Sequence, residues 1–124
     1  DLAATPEETT KRVLTAYTDP QRLRRDDPGR PEVCNIYSLH RIFGGTETIA
    51  TVYEECTTAK RGCVDCKRHL ADNINDYLSE LRERRADIKA RPGYVQEILH
   101  EGGKKARTIA QETIAEVYDK MGLA

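Results

Sequence analysis

Four cysteines are the residues of this 124-residue chain best suited to chemistry. They follow the spacing Cys34-x21-Cys56-x6-Cys63-x2-Cys66, and the chain contains no other cysteine. Cys63 and Cys66 are three residues apart at the predicted start of a long helix, so both sulfurs face the same side. Thiolates are the ligands of iron–sulfur clusters and of structural zinc, and a helix N-terminus favours the thiolate form. The spacing therefore predicts one metal site that ties three helix ends together.

The identity of the metal follows less directly from the spacing. Zinc sites usually pair two C-x2-C units, whereas this chain has one such pair and a third cysteine seven residues upstream. That arrangement favours a [4Fe-4S] cluster, with structural zinc, free thiols and disulfides as alternatives in that order. Disulfides come last because nothing in the sequence indicates secretion. His40, His69 and His100 are possible replacement ligands, although a lone histidine is more often a packed or surface residue.

Two groups of basic residues near the cysteines predict a contact with nucleic-acid phosphates or bases. The first group consists of Lys60, Arg61, Lys67 and Arg68. The second consists of Arg22, Arg24 and Arg25. In a chain that is 33% charged, the alternative for any single one of them is a solvated helix face. The formal net charge of -1 argues against a uniformly basic nucleic-acid-binding surface, so the contact must be local.

Helical signals dominate the rest of the sequence. Thr5-Pro6-Glu7-Glu8 predicts a capped helix over about 6–17, and the three prolines of 18–33 predict a long irregular loop. A short helix over 35–43 should stop at Gly44-Gly45, and Thr46 should cap the next, which runs to about 56 or 57.

The second half of the chain is predicted to hold two long helices. One apolar stripe covers about 63–88, and another runs from about 94 to 121 after the break at 91–93. With aromatic residues at only 6% and no alternating segment, the sequence predicts an all-α bundle. Its two long helices should be antiparallel, with shorter helices before them, and residues 1–124 should form a single domain.

Three segments taken together resemble the C-terminal helical domain of bacterial tryptophanyl-tRNA synthetase, a class I aminoacyl-tRNA ligase. They are TDPQRLRRDDPGRPEVCNIYSLH at 18–40, GCVDCKRHLADNINDYLSELRERRADI at 62–88 and ARTIAQETIAEVYDKMGL at 106–123. The resemblance spans nearly the whole chain. The cysteine spacing itself is similar to that of a subset of these synthetases with a [4Fe-4S] cluster in this domain.

The resemblance implies a parent enzyme that activates tryptophan with ATP and attaches it to its tRNA. Neither the HIGH-like motif nor KMSKS occurs here, so we expect a fragment without the Rossmann-like catalytic domain and without catalytic residues. In the family this helical domain meets the tRNA anticodon, and the parent is a homodimer, whereas the isolated fragment is expected to be a monomer. The expected location is the cytoplasm, with tryptophan tRNA as partner and neither DNA nor membrane.

Other classes of protein share parts of the cysteine pattern. An iron–sulfur DNA glycosylase also has C-x6-C-x2-C, but its fourth cysteine follows shortly downstream, and no cysteine follows Cys66 here. A redox-sensing or electron-transfer domain would use the same four ligands. A structural zinc module would differ only in its metal. No apolar run approaches the roughly 20 residues of a membrane helix, and the first residues do not show the charged-then-apolar pattern of a signal segment.

Overall fold

The computed structural model describes residues 1–123, which form six α-helices and one short 3-10 helix and contain no strand. The α-helices are α1 (Pro6–Thr15), α2 (Asn35–Phe43), α3 (Thr46–Thr57), α4 (Cys63–Tyr77), α5 (Ser79–Lys89) and α6 (Tyr94–Met121). The 3-10 helix, Pro31–Val33, precedes α2. The all-α prediction is confirmed. None of the described helices is both long enough and apolar enough to cross a membrane.

The chain divides into two compact units, Asp1–Arg82 and Glu83–Ala124. The first unit is built around α4, against which α1 and α2 pack. Its core consists of Val13, Ile36, Leu70, Ala71, Ile74 and Leu78. Leu70, Ile74 and Leu78 are spaced four residues apart and therefore lie on one face of the helix. This face is the apolar stripe that the sequence predicts.

The ends of the short helices follow local sequence signals. Thr5 Oγ1 accepts a hydrogen bond from the Glu8 amide at 3.2 Å, and the Glu8 carboxylate accepts one from the Thr5 amide at 3.0 Å, which confirms the predicted cap of α1. That helix ends at Thr15, earlier than predicted, because Ala16 is extended. The prediction that Thr46 caps α3 was wrong: Gly45 occupies the cap position, with an extended backbone, and Thr46 is the first helical residue.

The predicted single helix over 63–88 is interrupted once. The structure ends α4 at Tyr77, and Ser79 begins α5. Ser79 Oγ donates a hydrogen bond to the Asp76 carbonyl at 2.7 Å, and such side-chain bonds to the preceding turn compete with regular helix bonding. The Leu78 amide still reaches the Ile74 carbonyl at 3.0 Å, so hydrogen bonding continues across the interruption.

Arg82 fastens the N-terminal segment to α4. Its guanidinium donates to the Ala4 carbonyl at 3.1 Å, to Asn75 Oδ1 at 3.0 Å and to Thr9 Oγ1 at 2.9 Å. Because one planar guanidinium donates to all three acceptors, it fixes the positions of Ala4, Thr9 and Asn75 relative to one another. The first unit therefore holds α1 by polar contacts as well as by its core.

The second unit contains α6, a 28-residue helix between two left-handed glycines. Gly93 precedes it with φ of 87°, and Gly122 follows it with φ of 67°. This confirms the predicted break around residues 91–93, since glycine adopts positive φ without a steric cost. The described part of α6 buries no side chain. The antiparallel pairing of the two long helices stays a prediction.

Candidate metal centre and nucleic-acid interface

The four cysteines line one cavity, together with Thr18, Arg22, Ile36 and Arg61. Cys34 is the residue before α2, Cys56 belongs to the last turn of α3, and α4 begins at Cys63 and contains Cys66 in its first turn. All four are free and half-buried. Three helix ends therefore meet at a single group of thiols, which is the arrangement that the spacing predicts.

Burial makes two of these thiols poor acids. The pKa of Cys66 is raised to about 12, chiefly by burial and also by the negative charge of the neighbouring cysteines, while Arg61 opposes the shift. Burial also raises the pKa of Cys56, against the opposing charge of Arg22. Four thiolates at this position therefore need a cationic partner to offset their mutual repulsion, and a bound metal group supplies such charge.

Two side chains lie within hydrogen-bond distance of the cysteine sulfurs. Arg22 Nη1 donates to Cys56 Sγ at 3.8 Å, and His40 Nε2 lies 3.5 Å from Cys66 Sγ and 3.2 Å from the Cys66 carbonyl oxygen. His40 is fully buried, and this burial lowers its pKa, so the ring is neutral at pH 7. Hydrogen bonds to ligand sulfur atoms tune and stabilise metal–thiolate sites.

The three histidines occupy different places. His40 contacts Cys66 without lining the cavity, and His69 Nδ1 lies 2.8 Å from Arg61 Nη1. His100 is exposed on α6, in the second unit. The cavity is therefore lined by cysteine sulfur and by no imidazole.

Gly29 is a part of the site that the sequence reasoning missed. A Cβ at this position would lie 2.5 Å from Cys56 Sγ, where ordinary van der Waals contact begins at 3.4 Å. The Gly29 amide also donates to the Cys56 carbonyl at 2.9 Å. The loop can approach the cysteine this closely only because residue 29 has no side chain. A glycine between two prolines in the predicted loop was the only available signal.

The cysteine side chains, as placed, do not form a site for a single metal ion. Among the residues that the structure describes, no three His, Cys, Asp or Glu side chains are placed to hold a single metal ion. A zinc ion would require sulfurs about 2.3 Å from one centre.

Two members of the first basic group are engaged inside the protein. Arg61 forms an ion pair with Glu55 through Nε and bonds His69 through Nη1, and only 20% of its side chain is exposed. Lys67 Nζ donates to the Leu14 carbonyl at 3.0 Å, at the end of α1. These two side chains therefore position helices rather than present free charge.

The other two members of that group face solvent. Lys60 lies 3.3 Å from Glu54 and Arg68 lies 3.5 Å from Asp65, and both pairs are exposed. Exposed ion pairs contribute about 0–1 kcal/mol to stability. The Lys60 and Arg68 side chains can therefore exchange their carboxylate partners for a phosphate at little cost.

Arg24 and Arg25 are exposed beside the cysteine cavity. They border an open cleft lined by residues 22–25 and 62–65, which include Cys63. Arg25 Nε lies 3.6 Å from the position that a Gly62 Cβ would take, so its guanidinium is close to the start of α4. Leu23 is 86% exposed and Val64 is 53% exposed at the same cleft. Apolar and cationic surface is thus combined next to the thiols.

Comparison with known proteins shows a consistent relationship. The chain is 41% identical over 118 residues to the tryptophan–tRNA ligase of Aquifex aeolicus, covering 94% of this chain and 30% of that protein. It is 44% identical over 112 residues to that of Deinococcus radiodurans, covering 90% and 34%. It is 40% identical over 124 residues to that of Thermotoga maritima, covering 99% and 38%. The chain therefore spans about a third of the length of these relatives.

Solved structures agree with the sequence relatives. A structure of tryptophanyl-tRNA synthetase from Campylobacter jejuni complexed with ADP and tryptophan superposes with a TM-score of 0.86 at 28% identity, over 99% of this chain and 38% of that chain. A second structure of the same enzyme gives 0.85. No family model matches the chain. The sequence and the fold are homologous to one part of tryptophan–tRNA ligase.

Proposed function

From its homology with part of tryptophan–tRNA ligase, we propose that this chain is the C-terminal, tRNA-binding helical domain of such an enzyme. The observation that carries the proposal is identity of 40–44% to three of these ligases across 90–99% of the chain. The parent would attach tryptophan to its tRNA in the cytoplasm, as a homodimer. The ATP and tryptophan sites would lie in the part of the relatives that this chain does not cover.

We further propose that the four cysteines hold a [4Fe-4S] cluster. Their sulfurs line one cavity, and burial with mutual repulsion raises the pKa of both Cys56 and Cys66, so the thiolates require a cationic partner. Arg22 and Arg61 border the cavity and add positive charge. When bound, the cluster would supply covalent links between the ends of α2, α3 and α4. The site chemistry thus supports a structural role close to the RNA-facing surface.

A structural zinc ion is the competing occupant. It would use the same four sulfurs, so metal analysis must decide between the two occupants. Anaerobic purification with iron, sulfide and zinc analysis and a visible absorption spectrum separates the two. About four irons per chain with broad visible absorption supports the cluster. One zinc per chain in a colourless protein would identify the occupant as zinc instead of the cluster. A metal-free protein would remove the metal proposal while leaving the homology intact.

The RNA contact is best supported at Arg24 and Arg25. Both are exposed at the cleft beside Cys63, with Lys60 and Arg68 as further exposed positive charges. Arg61 and Lys67 would act indirectly, by holding the start of α4 and the end of α1. Anticodon bases are single-stranded, and proteins read them by stacking and by edge hydrogen bonds from groups such as guanidinium.

The test uses the full-length enzyme carrying R24A/R25A. Tryptophan activation should be unchanged, and tRNA affinity should fall. The slope of log affinity against log salt concentration should become shallower by about one for each arginine–phosphate pair removed. The matched control is R84A/R85A, an adjacent arginine pair that is exposed on α5. Equal tRNA affinity in the two double variants would refute the proposed RNA contact. Loss of tryptophan activation in R24A/R25A would indicate a folding defect instead.

A further inference from the structure

His40 lies where α2 packs against α4, beside the cysteine cavity. It is on α2, six residues after Cys34, and its side chain is fully buried. Its Nε2 atom lies 3.2 Å from the carbonyl oxygen of Cys66 and 3.5 Å from the Sγ atom of the same residue. One ring therefore contacts both the backbone and the side chain of a cysteine in the first turn of α4.

The carbonyl group decides which ring nitrogen carries the hydrogen. A carbonyl oxygen only accepts hydrogen bonds, so the Nε2 atom of His40 must be the donor in its contact with Cys66. The same N–H faces the sulfur, which therefore receives a weak hydrogen bond from the ring. The assignment follows from the positions of the heavy atoms and is the same whether or not the ring carries a second proton.

The other ring nitrogen of His40 has no partner. Its Nδ1 atom is buried and makes no hydrogen bond within the described residues. The ring of His69 lies 5.4 Å away between centroids, and its own Nδ1 atom is engaged by Arg61 at 2.8 Å. An unpaired buried polar atom is unfavourable, and an apolar side chain of similar size would fill the space without one. Core packing alone therefore does not account for a histidine here, and the Nε2 donor is what an apolar residue would lack.

We propose that His40 is a positioning residue of the cysteine site, and that its Nε2–H group holds Cys66 in place before a metal group binds. This inference rests on the proposed metal site. Because the contacts are made by the protein alone, they order the sulfur in advance, and an ordered ligand loses less freedom on binding. Groups that hydrogen-bond to a metal ligand and orient it are typically worth about 10–100-fold in metal affinity.

The experiment measures two quantities in His40→Met, which keeps a similar volume without a donor. They are iron loss to an excess of chelator from the anaerobically reconstituted chain and urea unfolding of the metal-free chain. H40M should lose iron about 10–100-fold faster than the wild type. Its metal-free unfolding midpoint should be unchanged or higher, because the unpaired Nδ1 atom is gone. His40→Gln, whose amide N–H replaces the Nε2 donor, should lose iron at close to the wild-type rate.

The matched control is His100→Met, at an exposed histidine on α6, which should behave as the wild type in both measurements. Iron loss at the wild-type rate in H40M overturns the role of His40 and leaves the metal site standing. Faster iron loss with a matching fall in the metal-free midpoint also overturns it, because His40 would then act only through packing. Failure of the wild type to take up iron overturns both proposals. If circular dichroism shows metal-free H40M unfolded, H40Q decides: wild-type iron retention supports the donor, and iron loss at least about tenfold faster refutes it.

Discussion

Replacing Gly29 by Ala tests the cysteine site without touching any ligand. The new Cβ would be 2.5 Å from Cys56 Sγ, about 0.9 Å short of ordinary contact. In the metal-free chain the Cys56 side chain can turn to another staggered rotamer, so the cost should be small. With the proposed metal group bound, the sulfur would be fixed, and a backbone shift would have to relieve the overlap. Such overpacking costs roughly 1–3 kcal/mol, which corresponds to about 5–150-fold weaker retention of the metal group.

The assay measures iron loss from anaerobically reconstituted chain to an excess of chelator, together with urea unfolding of the metal-free chain. G29A should lose iron about 5–150-fold faster than the wild type, while its metal-free unfolding midpoint changes much less. Gly45→Ala is the control, because no atom lies within 4 Å of the position of its Cβ. Iron loss at the wild-type rate in G29A would show that the approach of residue 29 to the sulfur does not matter. Equal destabilisation in both states would refute the metal-dependent part of the reasoning.

Three further predictions concern stability of this chain. Leu70→Ala should lower the free energy of unfolding by roughly 2–5 kcal/mol in urea titrations, because Leu70 is fully buried, whereas the 44% exposed Leu81 changed to Ala should cost much less. Asp19→Asn should lower the free energy of unfolding at pH 7, and its difference from the wild type should shrink as the pH falls below about 4. The reason is that Arg30 holds the pKa of Asp19 in the folded chain well below its usual range. The carboxylate therefore stabilises the fold above the pKa that Asp19 has in the unfolded chain, and acidification removes this stabilisation. Gly102→Ala should stabilise α6 by roughly 0.5–1 kcal/mol, measured by thermal melting of helical ellipticity, since its Cβ meets no atom within 4 Å; lower helicity would contradict this.

Local signals in the sequence were enough for most helix boundaries. The Thr5–Glu8 cap, the stop at Gly44-Gly45 and the break before Tyr94 each depend on residues within one turn of the boundary. The interruption at Leu78 was missed because apolar periodicity continues through it, while the competing hydrogen bond of Ser79 involves a single hydroxyl. Periodicity averages over several turns, so it does not register a bond that disturbs only one.

The roles of the basic residues could not be separated from sequence. Lys60, Arg61, Lys67 and Arg68 look equivalent in the chain, yet Arg61 and Lys67 are held by protein acceptors and the other two face solvent. Whether a lysine or arginine finds an internal acceptor depends on residues far away in sequence. The Leu14 carbonyl that Lys67 meets, for example, is 53 residues distant.

By itself the sequence determined the helical class, the main apolar stripe and the grouping of four thiols, because these follow from residue type and short spacing. Only the tertiary structure decided how the thiols are surrounded. Arg22 and Gly29 reach Cys56 from a loop that begins more than 30 residues upstream, where no periodic pattern operates. The physical reason is that a loop is placed by a few specific contacts, each between residues remote in sequence, whereas a helix is placed by the repeat of its own backbone.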